Sequence, residues 1–120
     1  MNIHEEERIL VTGGTGMVGK ALQKILPDDR HGHAFYLSSK DCDLTNYSEV
    51  ENLFNYYRPR CVIHLAAKVS GMKGNMDALG THFTDNVKIN TNVIELSQKY
   101  GVTKLLSTLS TCVYPDKAEY

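Results

Sequence analysis

Near the start of the chain the stretch VTGGTGMVGK, Val11 to Lys20, spaces Gly13, Gly16 and Gly19 three apart between an apolar run and a helix-like one. In such a loop the first glycine permits a tight turn, the second lets backbone approach a bound anion, and the third lets helix and strand pack closely. The preceding residues 8–12, RILVT, read as a short strand covered on both faces. After the glycines, Met17 and Val18, Ala21 and Leu22, then Ile25 and Leu26 recur every four residues, which marks one helix face ending at Pro27. The N-terminal amides of that helix carry roughly half a positive charge and point into the loop. A lone glycine pattern is as easily a structural turn. Placed between a strand and a periodic helix, Gly13, Gly14, Thr15, Gly16, Met17, Val18 and Gly19 are expected to cradle the pyrophosphate of a dinucleotide.

The rest of the chain keeps alternating between the two periods. AFYL, Ala34 to Leu37, reads as a second strand, and residues 44–59 as a second helix with Thr45 or Asn46 as its cap and Tyr47, Val50, Leu53, Phe54 and Tyr57 as its stripe. CVIHLAA, Cys61 to Ala67, is the next strand. A looser segment runs to about Gly80. A helix follows with Ile89, Val93, Leu96 and Tyr100 on one face and Gly101 as its stop, and then a last strand, KLLSTLS from Lys104. Alternating β and α units imply right-handed crossovers and an α/β, Rossmann-like, doubly wound parallel sheet, here truncated to four or five strands with flanking helices. Its ligand crevice lies at the carboxyl ends of the strands, and its last strand is a raw edge.

Bulk properties narrow the partners. A chain of 120 residues makes one domain, residues 1–120, able to bury roughly two-thirds of its unfolded-chain surface. With 13 basic and 14 acidic residues it offers no electrostatic footprint for nucleic acid or an anionic membrane. No apolar run approaches the roughly 18 residues of a membrane span, and the acidic N-terminal stretch lacks the order of a signal peptide, so the expected location is cytoplasmic. Cys42, Cys61 and Cys112 show no CxxC spacing, and His31-x-His33 in a turn-rich stretch has no evident third ligand. No metal site is expected.

The choice of dinucleotide turns on the end of the second strand. An NAD site wants an acid about twenty residues beyond the glycines to take the ribose hydroxyl. This chain has Ser38, Ser39 and Lys40 there. Two hydroxyls and a cation suit a ribose phosphate, which favours NADP; the same residues also read as a plain polar turn.

These residues together carry a family resemblance. The TGGTGxxG loop, DLT after the second strand, HLAA on the third and the Ser-rich LLSTLSTC resemble the extended short-chain dehydrogenase/reductases. Within them, HLAAKVSGMKGN and LSTCVYPDK are similar to segments of the GDP-L-fucose synthases, departing at Ser70, where a glycine is usual. The resemblance covers essentially the whole chain. It implies conversion of GDP-4-keto-6-deoxy-mannose to GDP-L-fucose, by epimerisation at C3 and C5 and reduction of the C4 ketone with NADPH, in an enzyme that is a homodimer when complete. It also implies residue roles: Ser110 hydrogen-bonding the ketone, Cys112 as acid/base for epimerisation, and Asp43 and Leu44 beside the adenine. Leu65, Ala66, Ala67 and Leu109 would form walls of the cofactor site, and Asn86 its polar contact on the following helix. As residues alone, Ser110 also reads as the end of a strand and Cys112 as a small buried hydrophobe, and the others equally serve packing.

The same resemblance exposes a gap. Its members carry a Tyr-x-x-x-Lys pair on one helix face, the tyrosine protonating the nascent alkoxide and the lysine lowering the phenol's pKa. Tyr36 with Lys40 and Tyr100 with Lys104 have the spacing, but the first pair begins in a strand and the second crosses the stop at Gly101. The expected reading is therefore the N-terminal, cofactor-binding part of such an enzyme without its substrate domain and inactive alone. A catalytically dead NADP-binding or regulatory module, and the start of another nucleotide-sugar epimerase or dehydratase, stay open beside it.

Overall fold

The computed structural model describes residues 8–26, 33–70, 72–110 and 113–117. In chain order these form β1 (Ile9–Thr12), α1 (Met17–Ile25), β2 (Ala34–Leu37), α2 (Tyr47–Tyr57), β3 (Cys61–His64), α3 (Met72–Asp77), α4 (Leu79–Lys99) and β4 (Lys104–Ser107). The four strands make one parallel sheet in the order β2-β1-β3-β4. Because β2 lies on one side of β1 and β3 on the other, the winding direction reverses between β1 and β3. Open α/β sheets bind ligands at that reversal. The pairing registers carry Leu37, Thr12, His64 and Ser107, the last residues of the four strands, into a single row.

Strand alternation divides the side chains between two layers. Leu10, Leu37 and Val62 pack with Val50, Leu53 and Phe54 of α2 and with Val93 and Leu96 of α4. Each fully buried side chain of this size contributes about 1.5–3 kcal/mol relative to exposure. On the opposite face the Tyr36 hydroxyl donates to the Leu26 carbonyl at the end of α1, so α1 lies on the other side of the sheet from α2 and α4.

Local chemistry sets the helix limits. Of the two residues that the sequence offers as cap for α2, Asn46 takes the role, its side chain accepting from the amides of Ser48 and Glu49. The helix ends at Arg58, whose left-handed φ of 47° precedes Pro59. α4 stops where expected, at Gly101, whose φ is 71°. The termination that the sequence assigns to Pro27 falls outside the described residues; α1 ends at Ile25, with Leu26 as its cap.

Three expectations need adjustment. β3 ends at His64 rather than Ala67: the Leu65 amide makes the last bond to the Thr12 carbonyl, and the chain then crosses to α4, where Asn86 takes both the amide and the carbonyl of Lys68. β4 likewise ends at Ser107. The looser segment before Gly80 contains α3, and α4 begins at Leu79. β4 is the outer strand on its side of the sheet among the described residues, with all four of its residues exposed. No helix among the described residues is long and apolar enough to cross a membrane.

Candidate functional site

At the reversal point, above the row of strand ends, lies a cavity of about 830 Å³ walled by the β1–α1 loop, the β2–α2 loop and the residues after β3. The glycine loop folds as its spacing demands. Gly13 has φ +70°, and a Cβ there would lie 2.8 Å from the Ala66 amide nitrogen; no L side chain fits that turn or that gap. A Cβ on Gly19 would lie 2.6 Å from the Gly13 carbonyl oxygen, so α1 can sit directly on the loop only because Gly19 is bare. Gly16 is the N-cap of α1 and makes no side-chain hydrogen bond to it. The first-turn residues Met17 and Val18 line the cavity beside Thr15 and Gly16. A helix N-terminus left without a side-chain cap and opening on a cavity suits an anion.

Thirteen of the expected cofactor residues line this one cavity: Gly13, Thr15, Gly16, Met17, Val18 and Gly19 from the first loop, Ser38, Ser39, Asp43 and Leu44 from the second, and Leu65, Ala66 and Ala67 after β3. Four do not. Gly14 lies beneath, its missing side chain making room for Tyr36. Lys40 is exposed on the turn beyond Ser39. Asn86 spends its amide on Lys68. Leu109 is 81% exposed, and Ser110 is also exposed, its carbonyl accepting from the Val113 amide. From that segment it is Thr108 that reaches the cavity. Cys112 and His31 lie outside the described residues. Among the described residues no group of three His, Cys, Asp or Glu side chains is placed to hold a metal.

Several features of the site were not drawn from the sequence. Asp41 accepts both the amide and the hydroxyl of Ser38, at 2.7 and 2.6 Å, and these bonds hold its carboxyl below the ordinary range. The Ser-x-x-Asp spacing was the available signal. Ser38 thus donates to a neighbouring carboxylate, while Ser39 lines the cavity and Lys40 stands exposed beside it. Cys42 lines the cavity as a buried thiol, pushed up to about 11 by burial and by the nearby Glu49, Asp43 and Asp41. Asp43 accepts from the amide and hydroxyl of Thr45, which lower its pKa. The Leu44 carbonyl accepts from Asn92 of α4.

Beneath the cavity floor runs a buried polar chain. The Ala66 amide donates to Thr12 Oγ1 at 3.3 Å, Thr12 Oγ1 lies 2.6 Å from His64 Nδ1, and His64 Nε2 lies 2.9 Å from Asn90 Oδ1. Thr12 and His64 are 1% and 2% exposed, so their partners are obligatory rather than incidental. Burial pushes the His64 imidazole below its usual pKa, opposed only by the Asn90 bond.

Comparison with known proteins agrees with this geometry. The model of the NAD dependent epimerase/dehydratase family matches residues 9–120. The chain belongs to that family. Relatives within it include a probable GDP-L-fucose synthase of Drosophila melanogaster, 43% identical over 95% of this chain and 36% of that protein, and a GDP-L-fucose synthase of Dictyostelium discoideum, 40% identical over 93% and 36%. Among solved structures, a GDP-L-fucose synthetase from Naegleria fowleri bound to NADP superposes with a TM-score of 0.79 at 43% identity, covering 97% of this chain and 34% of that one. The chain therefore spans about a third of the length of the family members it matches.

Proposed function

We propose that residues 1–120 form the NADP-binding portion of a GDP-L-fucose synthase, which epimerises and reduces GDP-4-keto-6-deoxy-mannose in the cytoplasm as a homodimer. One observation carries the reading: the uncapped N-terminus of α1, the Gly13 turn and the residues after β3 enclose a single cavity at the sheet's reversal point. The relatives' identities and the NADP held by the Naegleria fowleri structure support it.

The residues present fit the cofactor. The α1 amides would hold its pyrophosphate, Ser39 and Lys40 its ribose phosphate, Asp43 and Leu44 its adenine end, and Leu65 to Ala67 would wall the nicotinamide side. NADPH, when bound, supplies the hydride for the C4 ketone. This chain contributes two groups toward the substrate, the Ser110 hydroxyl for the ketone oxygen and the Cys112 thiol for proton exchange at the flanking carbons. An ordinary thiol titrates near ~8.5, so a modest lowering brings it within reach of neutral proton traffic.

Equilibrium titration with NADPH and NADH, followed by the fluorescence of the reduced nicotinamide, tests the cofactor reading. Saturable binding that is tighter for NADPH is expected. Equal affinity or preference for NADH overturns the assignment of NADP, and no binding of either overturns the site.

A further inference from the structure

The buried chain beneath the cavity favours one form of its histidine. Asn90 Oδ1 can only accept, so Nε2 carries a hydrogen and donates it. In a site that is 2% exposed the uncharged ring is the favoured one, and its Nδ1 then accepts the Thr12 hydroxyl, whose oxygen accepts the Ala66 amide. The ring's two partners are the final residue of β1 and a residue of α4, and His64 is itself the final residue of β3. The contact thus crosses the reversal point, one residue before Gly13 and two before Ala66, which close up so tightly that a Cβ on Gly13 has no room.

From this arrangement we infer that His64 is a positioning residue which, in its neutral form, holds the glycine loop and residues 65–67 at the spacing a dinucleotide requires. The inference rests on the dinucleotide reading above. A proton on Nδ1 places two hydrogens between a nitrogen and an oxygen 2.6 Å apart. The Thr12 hydroxyl then has to turn away inside a site that is 1% exposed, or β1 and β3 have to part at their ends. Either change loosens the wall that Ala66 makes against Gly13. The charged residues of the neighbouring elements are Arg8 before β1, Glu49 and Glu51 on α2, Asp85, Lys88, Glu95 and Lys99 on α4, and Lys104 on β4. Asp85 is committed to Lys68 and Glu51 to Lys99, and burial governs the ring.

The test compares the wild-type protein with His64→Asn, which retains an acceptor for Thr12 and takes no proton, and with Asn90→Asp, an exposed position where a carboxylate would stabilise the imidazolium. NADPH affinity is measured from pH 8 to pH 5, each variant referred to the same probe because the 2′-phosphate itself titrates near about 6. Separately, without ligand, the backbone amide shifts of Gly13 and Ala66 are followed by NMR across the same range. Wild type is expected to lose affinity relative to His64→Asn by up to about tenfold per pH unit below the imidazole midpoint. Asn90→Asp should begin that loss at higher pH, and the two amides should track the His64 titration in wild type and in Asn90→Asp but not in His64→Asn. If the amides track His64 but NADPH does not bind at pH 8, the dinucleotide reading falls and the positioning role stands. Identical pH profiles for wild type and His64→Asn, or amides indifferent to the titration, overturn the inference. Should His64→Asn fail to fold, the opposite shift from Asn90→Asp decides.

Discussion

Asn86, near the middle of α4, grips Lys68 by both of its backbone polar groups, accepting from the amide at 2.7 Å and donating to the carbonyl at 2.9 Å. One turn of helix therefore carries the chain that has just left β3 and sets it along the cavity. The ion pair between Lys68 and the adjacent Asp85 is half exposed on the lysine side, and pairs of that kind contribute little. Asn86→Ala is expected to destabilise the protein by about 1–2 kcal/mol, the net value of two hydrogen bonds, and to weaken NADPH binding although Asn86 does not line the cavity. Urea denaturation and NADPH titration read the two effects. Unchanged affinity in a destabilised variant would confine Asn86 to the fold.

Gly13→Ala makes a sharper demand. The substitution forces an L residue to φ +70° with its Cβ against the Ala66 backbone, a combination that costs roughly 1–3 kcal/mol for the dihedral alone. Loss of NADPH binding together with a lowered urea midpoint is expected. A stable Gly13→Ala protein with wild-type affinity would mean that the loop is not held as described.

Cofactor choice tests the second loop. Lys40→Glu replaces the one cation of the Ser38–Asp41 turn and is expected to weaken NADPH by about 1–2 kcal/mol, the scale of a charge-assisted contact, while sparing NADH. Asp41→Asn should act in the opposite sense, because it removes a carboxylate that now engages Ser38. If both variants leave the NADPH to NADH ratio unmoved, the ribose phosphate lies elsewhere.

These three sites differ in how visible they are in the sequence. The roles of Gly13 and Gly19 are backbone requirements, and a short-range pattern bounded by a strand and a helix reports backbone requirements well. The four strands and α2 were legible for the same reason, since period and caps are local. Asn86 was legible only as a polar residue near a cofactor; its partner is 18 residues away along the chain, and no local period encodes that. The link between Thr12, His64 and Asn90 was not legible, because a buried hydrogen-bond chain joins three elements whose contact exists only after the sheet forms. The end of β3 was overestimated because apolar residues continue beyond the ladder and line the cavity instead of extending the sheet, and the end of β4 because strand-like residues continue into an exposed segment from which only Thr108 reaches the cavity.

Stability should depend on pH through His64. Its folded-state pKa is held below the ordinary value of 6.5, so between those two values the unfolded chain binds more protons than the folded one. Stability is then fully present above about 6.5 and declines as pH falls toward the folded pKa. Asp41 and Asp43, whose pKa values are also lowered from 3.8, act only further down, as pH falls through their own folded values. Urea denaturation at pH 8, 6.5 and 5 should show the decline in wild type and a flatter profile in His64→Asn. An equally steep decline in the variant would place the titrating group outside the Thr12–His64–Asn90 chain.

The last expectation concerns turnover. Adding hydride to a ketone creates an alkoxide, and a positioned proton donor is worth roughly a hundred- to ten-thousand-fold in rate. The two Tyr-x-x-x-Lys spacings in these 120 residues cannot provide it. Tyr36 points to the α1 side of the sheet, where its hydroxyl donates to Leu26, while Lys40 stands in the turn beyond β2. Tyr100 closes α4 with its ring 6.1 Å from that of Phe54 and the Arg58 guanidinium 5.2 Å above it, and Lys104 begins β4. Neither pair shares a helix face, so neither lysine can tune its tyrosine. The 120-residue chain, incubated with NADPH and GDP-4-keto-6-deoxy-mannose, is therefore expected to bind the nucleotide without oxidising it. Absorbance of the reduced cofactor follows the reaction directly, and steady turnover by the pure chain would show that a donor other than these tyrosines serves the ketone.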